Sequence, residues 1–424
     1  MKRLAIIGTG IAGLGCAHFL HERFELTLFG ADSHVGGHSN TVTASEQDRE
    51  VPIDTGFMVY NQVTYPNLTR LFKELDAPVK KTSMSFSVQH TPSNLEYCGS
   101  SLNHLFAQRR NLFRPRHWRM LKQIDRFNND AIKALKDSTA RSQSLAEYVR
   151  ERAYGEDFFH LYLVPMSSAV WSTPPEKMLQ FPAHTLLRFF HNHGFLGLNT
   201  QHQWWTVDGG AREYVKRLTR PFADRIHRNR SVAKVVEGPD RATVLLKDGE
   251  SLSFDKVVIA THGDQALDLL DQPDPEQRRL LSAFNYEPNV ATLHTDPSAM
   301  PRTRLAWASW NYRIDNHADG QSNTSTIYWM NSLQGVSDHQ DYFVSINGEQ
   351  NIRKDRILKQ INYRHPLFDQ AAVAAQKDLP GLNRRSPSQR LYFCGSYFRY
   401  GFHEDAFTAG LDASRAILGE EIWS

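Results

Sequence analysis

Three glycines near the start of the chain, Gly8, Gly10 and Gly13, have the spacing that brings a backbone within reach of a dinucleotide pyrophosphate. The first permits a tight turn, the second removes the Cβ that would block the phosphates, and the third lets a following helix pack closely on the preceding strand. A helix opening there, with Ile11 and Ala12 in its first turn, presents unpaired amides and the positive end of its dipole to the anion. Folds of this kind place a carboxylate on the ribose hydroxyls at the close of the second strand. This chain has Gly30 there; Asp32, two residues on, either folds back to the ribose or is a solvated loop carboxylate.

The elements that must hold those glycines are legible around them. Residues 2–7 predict a buried strand, Ile11, Leu14, Ala17 and Leu20 recur at helical spacing over about residues 11–23, and residues 25–29 supply the second strand of a βαβ unit. From about Thr64 to Phe190 the periodicity is helical, over 68–75, 118–135 and 145–163. Trp204 to Gly210 ends that insertion, and a helix over 212–218 follows. Short strands at 231–236 and 242–246 lie near an Asp248-Gly249 turn. Residues 256–261 form a continuous apolar run, the type buried on both faces of a parallel sheet.

A second excursion, from about Gln265 to Arg384, carries aromatic and β-branched pieces at 290–294, 324–330 and 342–346 that predict a sheet. The chain returns at Leu391 to Ser396 and closes with a helix over 404–418. The predicted fold class is α/β: a Rossmann-like dinucleotide-binding domain interrupted by a mixed α+β substrate domain. Residues 1–63, 204–264 and 385–424 make the first; 64–203, a helical insertion, and 265–384, a sheet, make the second.

Composition bounds the class of protein. With 424 residues, 40% hydrophobic and 22% charged, the chain reads as an ordinary globular enzyme. No apolar run reaches membrane-spanning length and the first residues already read as strand, so neither a signal peptide nor an anchor is expected, and the expected location is cytoplasmic. Cys16, Cys98 and Cys394 are too few and scattered for a disulfide framework or a zinc site, and no metal is expected. Between Tyr97 and Lys122 there is no acidic residue, while Arg109, Arg110, Arg114, Arg116, Arg119 and Lys122 interleave with Leu105, Phe106, Leu112, Phe113, Trp118 and Met120. Such a stretch, residues 104–122, suits peripheral contact with an anionic inner-membrane surface. The same pattern also fits a surface helix whose apolar stripe is core, with Pro115 interrupting any single long helix. Nothing else resembles a nucleic-acid module, and no nucleic-acid partner is expected.

Several separated segments, taken in order, point further. The N-terminal glycines are followed by His34-Val35-Gly36-Gly37-His38, by Val51-Pro52-Ile53-Asp54-Thr55-Gly56-Phe57, and by Tyr392-Phe393-Cys394-Gly395-Ser396 with Gly401 to Gly410. Together with Trp205 to Gly210 and Asp255 to Thr261, this set resembles the flavin-containing amine oxidase and phytoene desaturase superfamily. His262 to Leu267 and Tyr400 to Asp405 resemble one branch of it: bacterial flavoproteins of fatty-acid modification, including the furan fatty acid pathway desaturase, and the N-terminal part of plant cyclopropane fatty acid synthases.

The resemblance implies FAD in a glutathione-reductase-type domain. The implied cofactor-binding residues are Gly8, Gly10, Ile11, Ala12, Gly13, Asp32, Gly36, Gly37, His38, Gly56, Phe57, Val232 (whose main chain meets the adenine), Thr261, Gly395, Ser396, His403, Asp405 and Ala406. The candidate bases are His403, Glu404 and Tyr397, with Tyr60 and His262 behind them. No second glycine fingerprint marks a nicotinamide site, so dioxygen or an electron carrier is the expected reoxidant. An amine substrate would need an aromatic enclosure around a neutral amine, for which Tyr397, Tyr400, Trp171 and Trp205 are candidates. A lipid would need an apolar channel, for which Phe57, Met58, Phe181, Phe189, Phe190, Phe195, Leu196 and the aromatic strands after Phe284 are candidates. The branch resemblance and the basic aromatic segment favour a methylated or unsaturated fatty acyl chain, carried on phospholipid, losing a hydride and a proton. A lipid methyltransferase is then an expected partner. A flavin amine oxidase acting on a small amine or polyamine, and a non-catalytic FAD-binding scaffold, are the alternatives.

Overall fold

Short apolar runs without polar alternation form the centre of the molecule, because only a sheet covered on both faces can bury them. The computed structural model describes residues 1–137, 143–197, 200–316, 322–384 and 389–423. Among them, five parallel strands lie in the order Ile226–His227, Glu25–Phe29, Arg3–Ile7, Lys256–Ile259 and Leu391–Phe393. Alternate residues face opposite ways. Leu4, Ile6, Leu28 and Val258 join the core made with the first and last helices; Ala5, Ile7, Phe29, Val257 and Ile259 join the core on the other side.

The register decides where the site is. Ile7 pairs with both Phe29 and Ile259, Ile259 with Phe393, and Phe29 with His227, so the carboxyl ends of all five strands finish level. The loops that follow therefore share one edge of the sheet, the place where open α/β sheets bind ligands.

The helix Ile11–Leu20 ends a little before the predicted point and is buried on nearly all sides. One reason is the last helix, His403–Leu418, which crosses it at small residues. A Cβ on Gly410 would stand 2.4 Å from the carbonyl oxygen of Ala12, and one on Gly15 would stand 2.9 Å from the Phe407 ring. Cys394 is buried in the same contact, its Sγ 3.7 Å from that of Cys16, and all three cysteines are free.

Two readings of the middle of the chain are corrected by the structure. Residues 64–203 are not wholly helical: Val79–Thr82, Phe86–His90 and Leu95–Cys98 are strands. The last two complete a seven-stranded sheet whose other members, Ile357–Leu367, Asn285–His294, Phe343–Ile346, Ser322–Trp329 and Trp310–Asn316, come from the second excursion. The predicted sheet thus draws on both excursions, and short polar-interrupted strands such as Phe86–His90 carry too little pattern to be told from helix. Pro115 does interrupt any single long helix there: the short helix Leu102–Leu105 and the turn Arg109–Phe113 precede it, and it begins Pro115–Asp137 at the position where its missing amide costs nothing. The predicted 145–163 helix breaks after Glu151, at Ala153 (φ 50°) and Gly155, before helical structure resumes at Glu156. Among the described residues no helix is long and apolar enough to cross a membrane.

Gly410→Ala is expected to force the two helices apart and lower stability by about 2 kcal/mol. An unchanged denaturant midpoint would contradict this account of the crossing.

Candidate active site

The level strand ends make a cradle of backbone. Gly8 adopts φ 112°, and a Cβ there would stand 2.5 Å from the Ala260 carbonyl oxygen; at Gly13 it would stand 2.1 Å from the oxygen of Gly8. Gly10 is different, since a Cβ there would meet nothing within 4 Å. It caps the first helix from an extended conformation and leaves open space where an anion can approach the helix amides. The Gly36-Gly37 turn closes on this cradle: Gly36 donates to the Thr9 carbonyl at 2.9 Å and pairs with Gly10, while both glycines hold positive φ. Gly56 is fixed by contact, a Cβ there lying 2.3 Å from the His38 oxygen, to which the Phe57 amide donates at 2.7 Å.

On the nucleotide side, the amide of Arg230 donates to the Gly30 carbonyl and that of Asn229 to the Asp32 carbonyl, bringing Val232, the start of the next strand, beside the cradle. The Asp32 side chain is exposed on that loop. Gly30 faces Thr9, whose Oγ1 would lie 3.1 Å from a Cβ placed there. Thr261 stands between the first turn and the last strand, its amide 3.5 Å from a Gly8 Cβ and its oxygen 3.1 Å from a Gly395 Cβ. Ser396 follows, accepting from the Gly401 amide at 3.1 Å.

The start of the last helix is built into the same site, but two of its candidate bases are otherwise engaged. His403 Nε2 is 2.6 Å from the Tyr214 hydroxyl and 3.2 Å from Ser39 Oγ, and its ring stacks on Phe57 at 3.8 Å. Burial holds it neutral, with its pKa pushed down to about 3. Glu404 accepts from the amides of Asn67 and Leu68 at 3.0 and 2.8 Å, so its carboxylate caps the helix Pro66–Glu74 rather than facing a reactant. Asp405 accepts from the Phe402 amide at 2.9 Å, and burial raises its pKa to about 7. Ala406 is buried behind it. A third buried carboxylate, Asp54, accepts from the Ala211 amide and from Thr41 and Gln334, with its pKa raised to about 6 by burial.

The unengaged polar atoms lie nearby, in a group that sequence reasoning only half found. His38 stacks on Tyr363 at 4.7 Å and lies 5.4 Å from His365 and 6.3 Å from His262, which in turn stacks on Tyr286 at 4.3 Å. His38 Nε2, His262 Nδ1, His365 Nδ1 and the Tyr397 hydroxyl are buried atoms with no hydrogen-bond partner. Desolvation lowers the pKa of His38 to about 4 and of His262 and His365 to about 3, so all are neutral at pH 7. His365, Tyr363, Tyr286, Tyr214 and Ser39 were not anticipated. The signal available was Tyr363-x-His365, two residues apart on the Ile357–Leu367 strand and so on one face.

The rings expected to line a channel are mostly packed on one another. Phe189 stacks on His193 at 3.9 Å and on Phe402 at 5.0 Å and tilts against Trp171 at 4.7 Å, while Trp171 donates to the Tyr400 carbonyl at 3.1 Å. Phe181, Phe190 and Leu196 are buried in the same core. Tyr60 packs edge-on to Phe72 at 5.1 Å, with burial pushing its pKa up to about 12, so it is a core phenol rather than a base.

Residues 11–319 match the family described as flavin containing amine oxidoreductase. Among solved structures, putrescine oxidase bound to putrescine superposes with a TM-score of 0.67 at 13% identity, covering 99% of each chain. Cyclohexylamine oxidase from Brevibacterium oxydans IH-35A does so with 0.65 at 16%, also over 99% of each. A CLA-producing fatty acid isomerase from P. acnes gives 0.67 at 12%, over 96% of this chain and 97% of that one. At such identities the likeness is one of fold. No curated protein matches the chain in sequence. The cradle fits the cofactor: the open face of Gly10 suits a pyrophosphate, and the unpartnered imidazole and phenol atoms suit the polar edge of a ring. The cofactor is FAD.

Gly10→Val is expected to weaken FAD binding by at least about 100-fold, since the side chain enters the phosphate position, while leaving the apoprotein's melting temperature within a degree or two. A parallel loss of fold would contradict the open geometry. The histidines set a pH dependence as well. His38, His193 and His294 have pKa values near 4 and His262, His365 and His403 near 3, all through burial, against 6.5 unfolded. Unfolding therefore takes up protons below pH 6.5, and stability falls as pH drops, by about 1.4 kcal/mol per pH unit for each net proton. Asp54 and Asp405, raised to about 6 and about 7, oppose part of this. Apoprotein that is more stable at pH 4.5 than at pH 6.5 would contradict the neutral assignment.

Proposed function

The chain belongs to the flavin containing amine oxidoreductase family, and on that premise we propose that it is an FAD-dependent oxidoreductase removing two hydrogens from a methylated or unsaturated fatty acyl chain. The observation that carries this reading is the charge of the site. Asp54, Glu404 and Asp405, the buried carboxylates around it, each accept from backbone amides, and the histidines are neutral. Among the described residues, each of these carboxylates is already held by hydrogen bonds, and the buried atoms left without a partner there, imidazole nitrogens and a phenol oxygen, belong to neutral groups, which suits an uncharged chain. A fatty acid isomerase sharing this fold supports the substrate class; the amine oxidases that share it support the alternative.

FAD, when bound, supplies a two-electron acceptor. The protein's part is to orient the chain, exclude water and take the proton. A neutral imidazole always keeps one unprotonated nitrogen, so the group formed by His38, His262 and His365, with Tyr397 beside it, replaces His403 and Glu404 as the set that moves the proton. His403 is a positioning residue: through Tyr214, Ser39 and Phe57 it fixes the start of the last helix.

The holoenzyme is to be incubated with phospholipids bearing methylated or unsaturated acyl chains and, separately, with polyamines and arylalkylamines, and the products weighed by mass spectrometry. A loss of two hydrogens from the acyl chain is expected, reduced at least about 10-fold in His262→Ala by removal of a proton-transfer group. Product from amines alone would overturn the reading.

A further inference from the structure

The molecule's exposed large apolar side chains are unevenly placed. Leu102, Leu112, Phe113 and Trp118, exposed by 72, 42, 85 and 44%, fall within 17 residues, and only Met1, Val63 and Leu358 are comparable elsewhere among the described residues. The segment is an arch: the short helix Leu102–Leu105, the 3-10 turn Arg109–Phe113, and the first turns of the helix Pro115–Asp137. Part of its apolar content does face inward, since Phe106, His117 and Met120 are buried. Phe113 points the other way, and Trp118, whose ring tilts against Phe106 at 4.9 Å, still leaves much of its surface in water, although burying either would be favourable by about the same amount as burying Phe106.

The cations divide in the same manner. Arg109 donates to the carbonyls of Asn103 and Phe106, Arg110 to that of Asn94, and Arg116 pairs with Asp157, so these hold the arch in shape. Arg114, Arg119 and Lys122 are exposed, and their side chains make no hydrogen bond or ion pair among the described residues. No acidic residue lies between Tyr97 and Ile124 in the sequence, so of the six cations here only Arg116 has an acidic partner, Asp157 from a later helix, in a chain whose overall excess is only +3. Between Phe113, Trp118, Arg119 and Lys122 opens a hollow of about 390 Å³.

We propose that this arch docks the protein on an anionic lipid bilayer, Leu102, Leu112, Phe113 and Trp118 entering the acyl boundary and Arg114, Arg119 and Lys122 meeting headgroup phosphates. Charge complementarity selects the occupant: apolar side chains ringed by unpaired cations match a surface that is greasy beneath and negative above. A nucleic acid would use the cations but leave Phe113 and Leu112 in water. The inference is independent of which substrate the active site takes.

The holoenzyme is to be sedimented with sucrose-loaded vesicles of phosphatidylglycerol and phosphatidylcholine, and with phosphatidylcholine alone. Binding is expected only to the anionic vesicles and is expected to fall as salt rises. Each cation near such a surface is worth roughly fivefold in partitioning, so the triple change Arg114→Glu, Arg119→Glu, Lys122→Glu lowers binding by at least about 100-fold. Phe113→Ser with Trp118→Ser lowers it by at least about 10-fold at unchanged charge. Both variants are to keep their FAD absorbance and melting temperature, which separates lost docking from lost fold. Absence of binding, equal binding to neutral vesicles, or binding to a single-stranded RNA in preference to vesicles would overturn the proposal.

Discussion

Backbone meeting backbone without an intervening side chain is the constraint on which the rest of this structure depends. Where Gly8 passes Ala260, where Gly13 passes Gly8, where Gly56 passes His38 and where Gly410 passes Ala12, the space for a Cβ is already occupied by a carbonyl oxygen 2.1 to 2.5 Å away. These four contacts draw the first turn, the fourth strand of the parallel sheet, the Gly36-Gly37 turn and the last helix to one edge. Gly10 shows the converse, because the same turn leaves that one residue facing open space. Close contact and this one open face together shape a cradle for phosphates, and neither works without the level register of the strand ends.

Electrostatics at the site follows from how its charged side chains are used. Glu404 and Asp405 sit in the first turn of the last helix, where anions are favoured by the dipole, yet both are occupied with capping, the one on a neighbouring helix and the other on its own. Asp54 ties the loop at Ala211 to Gln334 of the second excursion. The acids thus serve as joints between segments. The buried groups left without a partner there are uncharged: imidazoles kept neutral by desolvation and the Tyr397 phenol, whose ionisation burial opposes.

Much of this was legible in the residues. The βαβ unit, the apolar strand before Thr261 and the return at Leu391 could be placed because each has a short-range signature, a glycine spacing or an unbroken hydrophobic run. The resemblance of four separated motifs supplied the cofactor. The mixed sheet was legible only in part, since Phe86–His90 pairs in parallel with Trp310–Asn316, more than two hundred residues away, and nothing local announces such a partner. For the same reason the partners of the candidate bases His403 and Glu404 were not legible: Tyr214, Ser39, Asn67 and Leu68 come from other parts of the chain. His365 and Tyr363 were invisible as site residues until the sheet carried them to His38.

Three segments of the chain converging on a single dinucleotide is the claim from which the chemistry follows, and the absorbance spectrum of the purified protein tests it most directly. The account predicts an oxidised flavin spectrum and one FAD per chain, released intact when the protein is denatured because no cysteine is placed for covalent attachment, Cys394 being buried against Cys16. A folded protein that is colourless and takes up no FAD from solution would contradict it.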